Sequence, residues 1–114
     1  MKKFTLIVFG VFALYICASA QTASKKTEKV KIYGNCDMCK TTIEGALKKK
    51  DGVITRNWDT ETKILTVTYE PSKVNLKQIL QKIADVGYDS DTVKASTEIY
   101  NKLPKCCRYD RPKK

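Results

Sequence analysis

Cys36-Asp37-Met38-Cys39 constrains this chain more than any other stretch, because it falls where an alternating run, Val30 to Tyr33, gives way to a helical pattern beginning near Cys39. Two thiols two residues apart at a strand-to-helix turn either chelate a soft metal or exchange a disulfide. Spacing alone fits both chemistries. Cys39 belongs to the first turn of the expected helix, where unpaired N–H groups and the helix dipole favour a thiolate, and Lys40 is expected to push weakly the same way. Cys36, one turn earlier in a looser loop, can swing so that both sulfurs meet one ion. Two thiolates suit Cu(I) or Hg(II), which accept low coordination by sulfur. Structural zinc normally takes four ligands. With no histidine in the chain, zinc would have to draw on Cys106 and Cys107 or on a carboxylate such as Asp37. Adjacent cysteines are expected to point their side chains apart. The lack of histidine also leaves hydrolytic chemistry without its usual base.

Lys2 and Lys3, an apolar run from Phe4 to Cys17, and Ala18-Ser19-Ala20 together read as a secretory signal peptide over residues 1–20. The apolar run of 14 residues is shorter than the ~20 needed to span a bilayer, so no stable membrane insertion is expected after cleavage. Ile16 stands where a lipoprotein signal wants a small residue before Cys17. The expected location is therefore exported, and periplasmic in a Gram-negative cell. Of 114 residues 94 remain, enough for one compact domain with a thin core. The formal charge of +10, less Lys2 and Lys3, becomes +8. A positive surface permits contact with an acidic partner. Export makes nucleic acid the weakest candidate.

Residues 21–29 are polar and aperiodic and read as a flexible leader. The domain is expected over residues 30–95. Val30 and Ile32 alternate with lysines as in a half-buried strand, and Gly34-Asn35 breaks it. Ile43, Ala46 and Leu47 recur at helical spacing until Asp51-Gly52. Val53 to Trp58 and Lys63 to Tyr69 are strands, the second with Leu65, Val67 and Tyr69 on one face. Asn75 caps a second helix with Leu76, Ile79, Leu80 and Ile83 as its apolar face. A short last strand is expected over Thr92 to Ala95. The class is α+β: a ferredoxin-like βαββαβ sandwich, with a four-stranded antiparallel sheet and two helices on one face. Residues 96–114 form a basic, cysteine-containing tail, read either as a solvated end or as a docking arm carrying Cys106 and Cys107. Ile99 and Leu103 would be its docking side.

Cys36-Asp37-Met38-Cys39-Lys40-Thr41-Thr42-Ile43-Glu44-Gly45-Ala46-Leu47, with Asp51-Gly52-Val53 and Gly87-Tyr88-Asp89, resembles the heavy-metal-associated domains of copper chaperones, copper-transporting ATPases and periplasmic mercury-binding proteins. The resemblance implies a ferredoxin-like domain that holds one Cu(I) or Hg(II) between Cys36 and Cys39 and passes it on by ligand exchange. Ile43 and Leu47 would pack beneath the site, and Tyr88 would lie near the loop. Lys40 and neighbouring cations would face an acidic patch on a metal-transport or metal-receiving protein. Two positions depart from the family pattern. Tyr33-Gly34-Asn35-Cys36 has glycine where the family's methionine anchors the loop, and Arg56 and Trp58 replace small aliphatics on the second strand.

The expected function is thus an exported soft-metal carrier, not an enzyme. A thiol-disulfide oxidoreductase uses the same spacing, but Asp37 between the thiols disfavours a thiolate and the element order is not the redox fold's. A metal-responsive interaction module needs the same site as a carrier. Cys106-Cys107 is expected to modulate the site, by offering a third thiolate or by taking the metal, with a vicinal disulfide as the competing state.

Overall fold

The computed structural model describes residues 24–112. Its elements are β1 (Lys26–Lys31), α1 (Asp37–Gly45), β2 (Val53–Trp58), β3 (Ile64–Tyr69), α2 (Leu76–Ala84) and α3 (Thr97–Asn101), with 3-10 turns at Lys49–Asp51 and Lys105–Cys107. The sheet is antiparallel in the order β1-β3-β2. This is a mixed α/β, ferredoxin-like arrangement.

β3 lies at the centre because its alternation supports two partners. Leu65, Val67 and Tyr69 are buried beneath the helices, and the intervening residues stay half-exposed. The β2–β3 turn is held by Asp59, whose Oδ1 accepts from the backbone N–H of Glu61 (2.7 Å) and Thr62 (3.0 Å). α2 carries the expected cap as a full capping box. Asn75 Oδ1 accepts from Gln78 N–H at 2.8 Å, and Gln78 Oε1 accepts from Asn75 N–H at 2.9 Å. Ile43 from α1, Ile79 and Ile83 from α2, and the inner face of β3 close into one core with Trp58 and Leu47.

Three expectations are corrected. β1 begins at Lys26 rather than Val30, inside the supposed leader. Its polar residues pair across the strand with β3, Thr27 Oγ1 with Thr68 Oγ1 at 2.7 Å and Glu28 with the Tyr69 hydroxyl. An exposed edge strand of this kind leaves no apolar alternation to read. The last strand does not form at Thr92–Ala95. Pairing moves upstream, to a single bridge between Ile32 and Ser90 and a bond from Tyr33 N–H to Asp89 O (2.9 Å). The Ser90 hydroxyl takes the Val93 N–H at 3.0 Å, turning the chain away from the sheet.

The tail is packed onto the domain as a docking arm, and the third correction is to its docking side. Leu103 and Tyr100, rather than Ile99, face the core. Tyr109 is buried, stacked on Tyr88 at 5.6 Å and edge-on to Tyr100 at 5.1 Å. Its hydroxyl donates to Gly87 O at 2.7 Å and accepts from Asp89 N–H at 2.9 Å. Arg111 reaches back to Asp89, which is 0% exposed, with Nε at 2.8 Å and an Nη at 2.9 Å from its two oxygens. Gly87 permits this approach: at φ +109° it adopts a backbone that other residues avoid, and a Cβ there would meet Leu103 Cδ2 at 3.0 Å. The expected signal peptide falls on residues 1–20, outside the described residues. Among the described residues, no helix is long and apolar enough to cross a membrane.

Candidate metal centre

Cys36 is the N-cap of α1 in extended backbone, and Cys39 sits in the helix's first turn, as the spacing predicts. Cys39 is wholly buried, and its sulfur accepts from Asn35 N–H at 3.3 Å. Cys36 is half-exposed and donates to Cys106 O at 3.7 Å. The loop before it departs from the family pattern for a packing reason. A Cβ at Gly34 would lie 2.9 Å from Trp58 Cη2 and 3.4 Å from Cys39 Cβ, so the indole fills the room a larger residue would need. Trp58 is buried, and its Nε1 donates to Ile32 O at 2.9 Å, which ties β2 to the segment leading into the site. Gly34 and Trp58 thus share one volume between loop and strand.

The sulfurs of Cys36, Cys106 and Cys107 all lie within 4.8 Å of one another. Adjacent cysteines do not point apart here, because the 3-10 turn closed by Cys107 N–H to Pro104 O (2.8 Å) brings their sulfurs to 4.0 Å. All four described cysteines are free thiols, so the vicinal disulfide is not formed. Cys39 stands outside this three-sulfur group but beside Cys107 and Tyr88. Met38 is 53% exposed, and its thioether accepts from Cys106 Sγ at 3.4 Å. The sequence put the tail thiols second to the Cys-x-x-Cys loop. Their central place follows from Tyr109 and Arg111, whose long-range docking has no local signature.

Burial pushes the Cys39 thiol up, but the Tyr88 O–H aimed at it, the backbone at Cys36 and Asn35, and Cys107 outweigh that and leave it lowered. Cys107 is the reverse: burial pushes it up to about 12, opposed by Tyr88 and reinforced by Cys39. The Tyr88 hydroxyl is itself buried and makes no hydrogen bond of ordinary geometry. Burial, then the two thiols, raise its pKa well above that of a free phenol. An unsatisfied O–H donor against two sulfurs is completed when one of them becomes a thiolate. Lys40 does not provide the expected push on Cys39. Its ammonium is spent on Glu44 Oε2 (2.6 Å), Asn57 Oδ1 (2.9 Å) and Trp58 O (2.9 Å), fastening α1 to the end of β2.

The cluster therefore offers a soft cation sulfur ligands, with the Tyr88 O–H beside the sulfurs, which is a coordination environment for a soft metal. Residues 35–89 match the family model described as the heavy-metal-associated domain. The copper chaperone CopZ of Staphylococcus saprophyticus subsp. saprophyticus is 38% identical over 64 residues, 55% of this chain and 94% of that protein. The chain belongs to the heavy-metal-associated domain family. A solved CopZ metallochaperone, 35% identical, superimposes with a TM-score of 0.54 over 57% of this chain and 98% of that one. The zinc-transporting ATPase of Synechocystis is 35% identical over 80 residues, 69% of this chain but only 11% of that protein. This heavy-metal-associated protein groups with metallochaperones, whose work is non-enzymatic.

The comparisons overturn the exported, periplasmic location. Among the proteins this chain is similar to are CopZ chaperones and soluble N-terminal domains of the CopA ATPase. A short apolar run reports only a preference for an apolar environment, and that preference does not specify where the folded domain works.

Proposed function

We propose that this protein carries one Cu(I) ion, with Cys36 and Cys39 as the pair that holds it during transfer to a metal-transport protein. The observation that carries the reading is the gathering of thiols at the start of α1, with no nitrogen ligand and no carboxylate among them. Thiolates without imidazole or carboxylate favour Cu(I) over harder divalent ions, and Hg(II) is the next ion such a site accepts. The CopZ relatives named as copper chaperones support the same choice. Cys36, half-exposed on the loop, is the sulfur an incoming ligand reaches first, and Cys39 behind it is the one already inclined to ionise. With Lys40 occupied, exposed cations such as Lys105, next in sequence to the tail thiols, would face an acidic patch on the partner, speeding encounter at low salt. The Asp89–Ser90 segment would serve as an abbreviated fourth strand, completing a βαββαβ layout.

The test is titration of the reduced full-length chain with Cu(I) against a competing chelator, with mass spectrometry of the product. One ion per chain is expected, and the double variant Cys36→Ser/Cys39→Ser should lose tight binding. A double variant that binds like the parent would remove the loop from the site. Zn(II) or Hg(II) outcompeting Cu(I) in the same titration would change the cargo.

A further inference from the structure

We propose that the docked tail turns the transfer site into a three-thiolate holding site, in which Cys36, Cys106 and Cys107 bind one soft cation and Cys36 is shared with the transfer pair. This deepens the carrier reading and rests on it. A metal about 2.3 Å from each of three sulfurs in a plane sets those sulfurs about 4.0 Å apart. The spacing between Cys106 and Cys107 is 4.0 Å, and all three sulfurs lie within 4.8 Å of one another. Small side-chain rotations suffice to close such a site.

The tail is held where this coordination needs it. Asn35 Nδ2, on the loop preceding Cys36, donates to Cys106 O at 3.2 Å, so the loop and the tail turn are joined beside the sulfurs. Behind the turn, the Tyr109 hydroxyl bridges Gly87 O and Asp89 N–H, and Arg111 clasps buried Asp89 through both oxygens. The Tyr88 hydroxyl is buried beside Cys39 and Cys107 and has no hydrogen-bond partner. Cys106 and Cys107 lie outside the stretch matched by the family model, which ends at residue 89. An acceptor that takes the ion must first compete with the tail, which slows loss of the ion to adventitious ligands.

The decisive experiment is copper X-ray absorption on the reduced, Cu(I)-loaded full-length chain, counting sulfur scatterers. Three are expected in the parent and in Cys39→Ser. Two are expected in Cys106→Ala, a substitution at an exposed position, and in Cys106→Ala/Cys107→Ala, with near-ultraviolet circular dichroism verifying the fold. Two sulfurs in the parent, unchanged by Cys106→Ala, overturn the proposal while leaving the carrier reading intact. Three sulfurs lost in Cys39→Ser but kept in Cys106→Ala also overturn it, assigning the third ligand to the loop. Failure of the parent to bind one Cu(I) sinks both readings.

Discussion

Gly34 and Trp58 occupy one volume, and exchanging them tests whether the sulfur loop is anchored by packing from β2. Gly34→Met places a Cβ 2.9 Å from Trp58 Cη2 and 3.0 Å from Cζ2, with the rest of the side chain still to be housed. Overpacking of this kind costs about 1–3 kcal/mol. Trp58→Val removes a fully buried ring. By comparison with Trp→Ala losses, and with valine filling part of the space, it should cost about 3 kcal/mol. It also strips Ile32 O of the indole N–H, adding about 1 kcal/mol. If the costs were independent, the double variant would lose about 5–7 kcal/mol, enough to unfold many domains of this size. If the two side chains share one volume, the methionine fills the cavity and the double variant loses only about 2–3 kcal/mol, a coupling of ~3 kcal/mol. Urea unfolding of the four proteins under reducing conditions, followed by circular dichroism, measures that coupling. Additivity within ~0.5 kcal/mol would refute the shared volume and the anchoring role of Trp58.

Arg111→Ala leaves buried Asp89 without its guanidinium, and because Arg111 is partly solvated the cost should be about 1–3 kcal/mol rather than that of a fully buried pair. The same variant should let a thiol reagent reach Cys107 faster, and an unchanged modification rate would mean the latch does not hold the turn. Alkaline stability should follow the phenols. The hydrogen bond to Glu28, then burial, lift the Tyr69 pKa to about 12, and Tyr33 and Tyr109 are raised as well. A folded-state value above the unfolded value of about 10 means this contribution is complete below pH ~10 and disappears as pH rises toward 12. Unfolding midpoints that stay level to pH ~10 and then drop are expected, with Glu28→Gln shifting the Tyr69 titration downward; a drop complete by pH ~9 would assign the transition to other groups.

What the residues announced in advance was what repeats locally. Alternation located Val53–Trp58 and, one residue early at its start, Ile64–Tyr69, and apolar spacing with Asn75 located α2. The thiol loop at the start of α1 was legible because its chemistry is carried by four consecutive residues. The tail was not, since Tyr100, Leu103, Tyr109 and Arg111 follow no helical or strand period and dock one by one onto partners as far as 22 residues away. Three large apolar or aromatic side chains in a segment otherwise rich in lysine were the available hint. Trp58 illustrates a further limit: its burial depends on a glycine in another element, and neither position discloses the other.

Asp89 lies at the end of the stretch shared with the family, yet its charge is neutralised by a side chain 22 residues further on. Evolutionary kinship and cooperative folding therefore divide this molecule at different places. A fragment cut after Ala95 would keep every residue that marks its ancestry while stranding a desolvated carboxylate and uncovering the Tyr88 ring. The smallest piece that can stand alone is set by where the last guanidinium lies.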